Sequence, residues 1–67
     1  MLVKLTNPKK SIIVVNPDDI SRIIDAAVGG FSKIIFKDGG EVIVCGYPKD
    51  IYEDIMNELK EDVEVRR

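Results

Sequence analysis

The side chains able to do chemistry in this chain are few and poorly grouped. It has no histidine, so the commonest general base and the commonest nitrogen ligand for metals are missing. Ser11, Ser21, Ser32 and Cys45 therefore have no histidine partner to activate them as nucleophiles. Cys45 closes an apolar run and reads as a small apolar filler, not a reactive thiolate. Carboxylates do come in groups, at Asp18-Asp19, at Asp50 with Glu53-Asp54, and at Glu61-Asp62. These positions are helix ends or a wet helix face, where capping and solubility explain them better than acid–base catalysis or a calcium site. Two Gly-Gly pairs, in VGGFSK and KDGGEV, lack the spacing of a phosphate-binding loop or a dinucleotide fingerprint, and turn formation accounts for both. No catalytic residue, cofactor or metal site is expected, and the chain reads as a non-enzyme.

A basic set of Lys4, Lys9, Lys10, Lys33 and Lys37, with Phe36 as a ring on which a base could stack, keeps a nucleic-acid-binding regulator as the alternative class. Against it stand a formal net charge of -2 and only two Phe and two Tyr, where a sheet-based binder should be basic and richer in aromatics. The charges are also segregated. Residues 1–47 sum to +1, residues 48–65 to -5, and Arg66 and Arg67 return +2. The acidic stretch repels phosphate and reads as the solvated face of a helix.

With 67 residues the chain makes one domain, 1–67, near the lower size for folding on a single core. A lone cysteine allows neither an internal disulfide nor a Cys-based metal cluster, which leaves self-association as the stabiliser at hand. No apolar run approaches the roughly 18 residues that span a bilayer, and MLVKLTNPKK lacks the apolar core of a signal peptide. A cytoplasmic protein with no membrane insertion is expected.

Elements follow from periodicity. LVKL alternates and predicts a strand over 2–6, followed by the Asn-Pro turn of TNPKK. SIIVV predicts a β-branched strand over 11–15. SKIIFKDGGEVIVCG predicts a hairpin with strands over 32–37 and 41–45, because Asp38-Gly39-Gly40 tolerates the positive φ of a tight turn. Pro48 suits a first helical turn, and Ile51, Tyr52, Ile55, Met56 and Leu59 make one apolar stripe, so 48–60 is predicted to be an amphipathic helix. VEVRR alternates again and could supply a last strand over 63–66. The fold class is α+β, a small antiparallel sheet with a C-terminal helix.

Residues 15–30, VNPDDISRIIDAAVGG, fit two descriptions. Asn16 is a good N-cap, Pro17 fits the first helical position, Asp18 and Asp19 favour the dipole, and Gly29 could close the helix. Ile20, Ile23, Ile24, Ala27 and Val28 match helical spacing. As a strand, one face would mix Ile20, Arg22, Ile24, Ala26 and Val28. Local signals thus favour a helix over 17–28. The alternative is a strand over 20–28 in a β-meander.

Lys4-Leu5-Thr6, Asn16 with Ile20, and Asp38-Gly39 before an amphipathic helix resemble the FlbD-like (SwrD-like) family of small flagellar-motility proteins over most of the chain. The resemblance implies that the middle segment continues as a strand, and it implies an accessory role in flagellar motility. AAVGGFS and DVEVRR depart from the family pattern by lengthening a connection and the end. A small phage or mobile-element protein acting on a host factor is the other setting considered.

IIVV, IIF and VIVC are apolar at every position, whereas a sheet with one wet face should alternate. One layer of helix cannot cover two apolar faces. The second face or an edge is therefore expected to meet a second copy or a partner protein, with Ile13, Val15, Ile35, Ile43 and Cys45 as candidate interface residues. The function expected is a non-enzymatic protein–protein interaction module that forms a homo-oligomer.

Overall fold

In the computed structural model, which describes residues 2–65 and only the backbone of 60–65, five strands and one long helix share a single core. β1 (Val3–Thr6) and β2 (Ile12–Val15) form an antiparallel ribbon. After a single 3-10 turn at Pro17–Asp19, β3 (Ile20–Asp25), β4 (Phe31–Phe36) and β5 (Glu41–Cys45) form an antiparallel three-stranded sheet in that order. The helix α1 runs over Pro48–Val65. The expected α+β class holds, with the strands divided between two sheets instead of one.

Both sheets and the helix bury their apolar faces together. β1 alternates, with Val3 and Leu5 buried and Lys4 and Thr6 exposed. Its register places Val3 opposite Val15 and Leu5 opposite Ile13, and cross-strand partners share a face. From the second sheet come Ile34 and Val44, and from α1 come Ile51 and Ile55. Ile51, Ile55 and the half-buried Leu59 are four residues apart, so they lie on one line of the helix. Ser32 is the one buried polar side chain among the described residues, and its hydroxyl donates to the Gly46 carbonyl at 2.6 Å.

Two hairpins use the same turn. In the first, Lys10 N–H donates to Asn7 O and Asn7 N–H to Ser11 O; in the second, Gly39 N–H donates to Phe36 O and Phe36 N–H to Gly40 O. Each is a turn closed by a residue in the left-handed region and a one-residue bulge. Gly39 fills that place at φ 95, but Lys10 fills it at φ 66. Asn7 supports the first turn by accepting Lys9 N–H and Ser11 N–H on Oδ1. A non-glycine residue there costs on the order of 1 kcal/mol. Lys10→Gly is accordingly expected to stabilise the chain by about 0.5–1 kcal/mol, raising the thermal midpoint by roughly 2–8 °C. A calorimetric midpoint that falls would show that the lysine is not strained.

The helix expected over 17–28 is not formed. Asn16 does cap, accepting Asp18 N–H on its Oδ1, and Pro17 takes the first position, but the turn stops at Asp19 and the chain enters β3. A bulge between Ile20 and Arg22 explains why this strand imitates a helix. Ile20 pairs with Phe36 and Ile23 with Ile34. One extra residue thus puts two isoleucines three apart on the same core-facing side of a strand, a spacing that otherwise signals a helix. The meander alternative is the observed one, with the strand ending at Asp25 rather than at 28.

The last strand, expected over 63–66, is also replaced. The helix continues through Val65, five residues past its expected end at 60, because residues 60–65 contain neither the glycine nor the proline that would stop it. Arg66 lies outside the described residues.

Candidate protein-docking surfaces

β4 is the central strand of its sheet, and its two faces have opposite fates. Ser32, Ile34 and Phe36 look into the core with Val42 and Val44 of β5. Phe31, Lys33 and Ile35 look outward, aligned with Cys45, Ile43 and Glu41 on one side and, for the last two, with Ile24 and Arg22 on the other. The helix packs on the core side, as Ile51 and Ile55 show. The outer face therefore carries Ile24, Phe31, Ile35 and Ile43 around a central Lys33. Lys33 reaches Glu41 across the strands at 3.6 Å, a solvent-exposed pair of small energetic weight.

Beside this face lies an apolar cleft of about 340 Å³, lined by Pro8, Ala26, Ala27, Val28, Phe31, Lys33 and Ile43. The loop after β3 forms one wall and the first hairpin turn contributes Pro8. A second shallow groove, about 220 Å³, runs between α1 and the start of β3, with Ile20, Ile23, Tyr52, Ile55 and Met56 among its lining residues. A third hollow at the β4–β5 turn is lined by Asp19, Phe36, Lys37 and Asp38. Among the described residues no group of three or more His, Cys, Asp or Glu side chains is placed to hold a metal ion. No helix among them is long and apolar enough to cross a membrane.

The five interface residues expected from sequence fall on two different sides. Ile35, Ile43 and Cys45 share the outer face of the three-stranded sheet, each half-buried. The Cys45 thiol donates to Asn7 O at 3.3 Å, joining β5 to the first hairpin. Ile13 and Val15 instead point into the core, Val15 fully buried and Ile13 packed against the buried cluster. The residues that take their place are Ile12 and Val14, which face outward beside Lys4 and Thr6. IIVV by itself carries no parity, but counting back from Val3 and Leu5 through the Asn-Pro turn would have assigned it.

The basic constellation is dispersed as well. Phe36 packs on the core side of β4 while Lys33 lies on the opposite face, and Lys9 and Lys10 sit in the first turn while Lys37 sits in the second. No aromatic ring is flanked by the five lysines together.

Comparison with protein-family models, with curated proteins and with solved structures finds no match.

Proposed function

We propose that the protein is a non-enzymatic protein–protein interaction module that self-associates and docks a partner protein on the outer face of its three-stranded sheet. The observation that carries this reading is a sheet with large apolar side chains on both faces and a helix over only one of them. Ile24, Phe31, Ile35 and Ile43 make the contact surface, and the adjoining cleft is sized for a large apolar side chain. Lys33, between Ile24 and Ile43 on the central strand, suits a partner segment with a carboxylate next to its apolar anchor.

The resemblance to the FlbD-like family supplies one setting, an accessory role in flagellar motility. A phage or mobile-element protein acting on a host factor uses the same surface equally well. Both settings act by contact and need no cofactor.

The test is a substitution in the middle of the outer face. Ile43→Lys is half-buried and outward-facing, so the fold should survive it, as circular dichroism would show. A wild-type bait is expected to retain a stoichiometric partner that the Ile43→Lys bait loses by at least about tenfold, in line with a charge placed in an apolar contact. Equal retention by the two baits would remove the outer face from the function.

A further inference from the structure

The self-association proposed above leaves open which surface two copies share. The two sheets have four edge strands; β1 and β5 lie against each other, with the Cys45 thiol bonded to Asn7 O beside them, and the other two, β3 and β2, differ sharply in how they are protected. Exposed strand edges carry rows of unpaired N–H and C=O groups that template pairing with another chain. At the β3 edge a bulge interrupts the strand, Arg22 and Asp25 bring charges, and α1 packs nearby. The β2 edge has none of these devices. Ile12–Val15 is four β-branched residues without charge, proline or bulge, and among the described residues it pairs with β1 alone.

The direction of its backbone groups follows from the turn. Asn7 N–H donates to Ser11 O, and Asn7 and Ser11 continue the register of β1 with β2. In an antiparallel ladder hydrogen-bonded pairs alternate. Leu5 with Ile13 and Val3 with Val15 are then the bonded pairs, and the N–H and C=O groups of Ile12 and Val14 point away from β1. The same two residues carry outward side chains that are 68% and 52% exposed, and Leu2, on the same face of the ribbon, is 62% exposed.

We propose that β2 is a homodimerisation edge, at which a second copy adds its own β2 antiparallel about a two-fold axis through Ile13. This inference rests on the interaction-module reading and supplies its self-association. The register is dictated by which groups point outward. Pairing Ile13 with the partner copy's Ile13 sets Ile12 opposite Val14 twice, as two bonded pairs making four hydrogen bonds, and uses the whole of Ser11 to Val15. It also joins the two ribbons into one four-stranded sheet, where Ile12, Val14 and Leu2 of both copies form a shared apolar surface. A strand that is its own complement meets the symmetry condition of a two-fold interface.

Sedimentation equilibrium of three chains tests both the edge and the register. The wild type is expected at twice the 7.5 kDa chain mass. Ile12→Lys with Val14→Lys places like charges opposite each other and is expected to weaken the dimer by about tenfold or more. Ile12→Lys with Val14→Glu places opposite charges across the axis and is expected to dimerise, less tightly as salt rises. Both positions are exposed, so all three chains should give one circular dichroism spectrum. Amide exchange of wild-type Ile12 and Val14 needs no substitution, and their protection is expected to appear on concentration and vanish on dilution. A monomeric wild type would overturn the proposal, as would a dimer in all three chains, or a folded Lys/Glu chain as monomeric as Lys/Lys. If the dimer instead tolerates lysine at the edge and is lost in Ile43→Lys, the edge fails while the interaction module stands. A wild type that neither dimerises nor retains a partner removes both.

Discussion

Ile34→Ala is expected to destabilise the chain by roughly 2–5 kcal/mol, the range for removing a large aliphatic side chain from a closed site. Ile34 is 0% exposed, and it lies at the middle of the central strand, paired with Ile23 on one side and Val42 on the other. A chain of 67 residues has a total stability of about 3–10 kcal/mol. The substitution therefore takes a large share of it. Packing around the site limits relief, since Val3 of the other sheet and Ile51 of the helix belong to the same buried cluster. Denaturant titration should show the midpoint displaced to the edge of the accessible range, with far-ultraviolet dichroism already reduced in water. Ile35→Ala, one residue away on the outward face, is the matched control and should cost far less. Equal losses at the two positions would mean that the outer face is covered as fully as the core.

That contrast between neighbouring isoleucines also marks what could be read from the sequence and what could not. The hairpin at Asp38-Gly39-Gly40 was legible because its chemistry is local: Gly39 adopts the positive φ, and Asp38 Oδ1 accepts Gly40 N–H at 2.8 Å. The helix start at Pro48 and the Ile51-Ile55-Leu59 line were legible for the same reason. What failed was decided by contacts distant in sequence. Asn16-Pro17-Asp18-Asp19 carries every signal of a helix start, and those signals are honoured for three residues. Beyond that, Lys37 N–H bonded to Asp19 O and the pairing with β4 draw the segment into the sheet. Helix propensity is worth a few tenths of a kcal/mol per residue, too little to resist a ladder and an apolar face to cover.

The presence of apolar residues on both sheet faces was legible, but not which residues take which side. Apolar residues at successive strand positions correctly imply apolar side chains on both faces. Which residues take the covered face depends on register, and register belongs to the pair of strands rather than to either one. Composition alone makes Ile13 and Val15 interface candidates, while β1 alternation across the turn places them inward. The practical consequence is that Ile13→Lys would disrupt the core and mimic a lost interface. Ile12 and Val14 are the positions at which a charge reports on association alone.

The second large effect is expected at Gly46, the joint between the sheet and the helix. Its φ of 113 lies in a region that side chains rarely adopt, and an added Cβ would stand 3.1 Å from Ile51 Cδ1. Neither problem has an easy relief. Gly46 N–H donates to Gly30 O, and its carbonyl accepts the buried Ser32 hydroxyl, so the peptide is held from both sides. Ile51 is itself buried in the core and lies in the first turn of the helix that Pro48 opens. Gly46→Ala therefore has to strain the backbone, at roughly 1–3 kcal/mol, or shift the helix and break the Ser32 bond, whose orphaned buried hydroxyl costs about 1–3 kcal/mol. The two routes can be told apart by adding Ser32→Ala. If the backbone stays and strains, the two losses should add; if the helix shifts, the second substitution should cost less in the Gly46→Ala background than alone, because the bond is already gone. Gly39→Ala shares the positive φ but meets nothing within 4 Å, and so it isolates the strain of a left-handed residue from the crowding against Ile51. A Gly46→Ala chain no less stable than Gly39→Ala would show that the Ile51 contact yields freely and that the joint is looser than its hydrogen bonds imply.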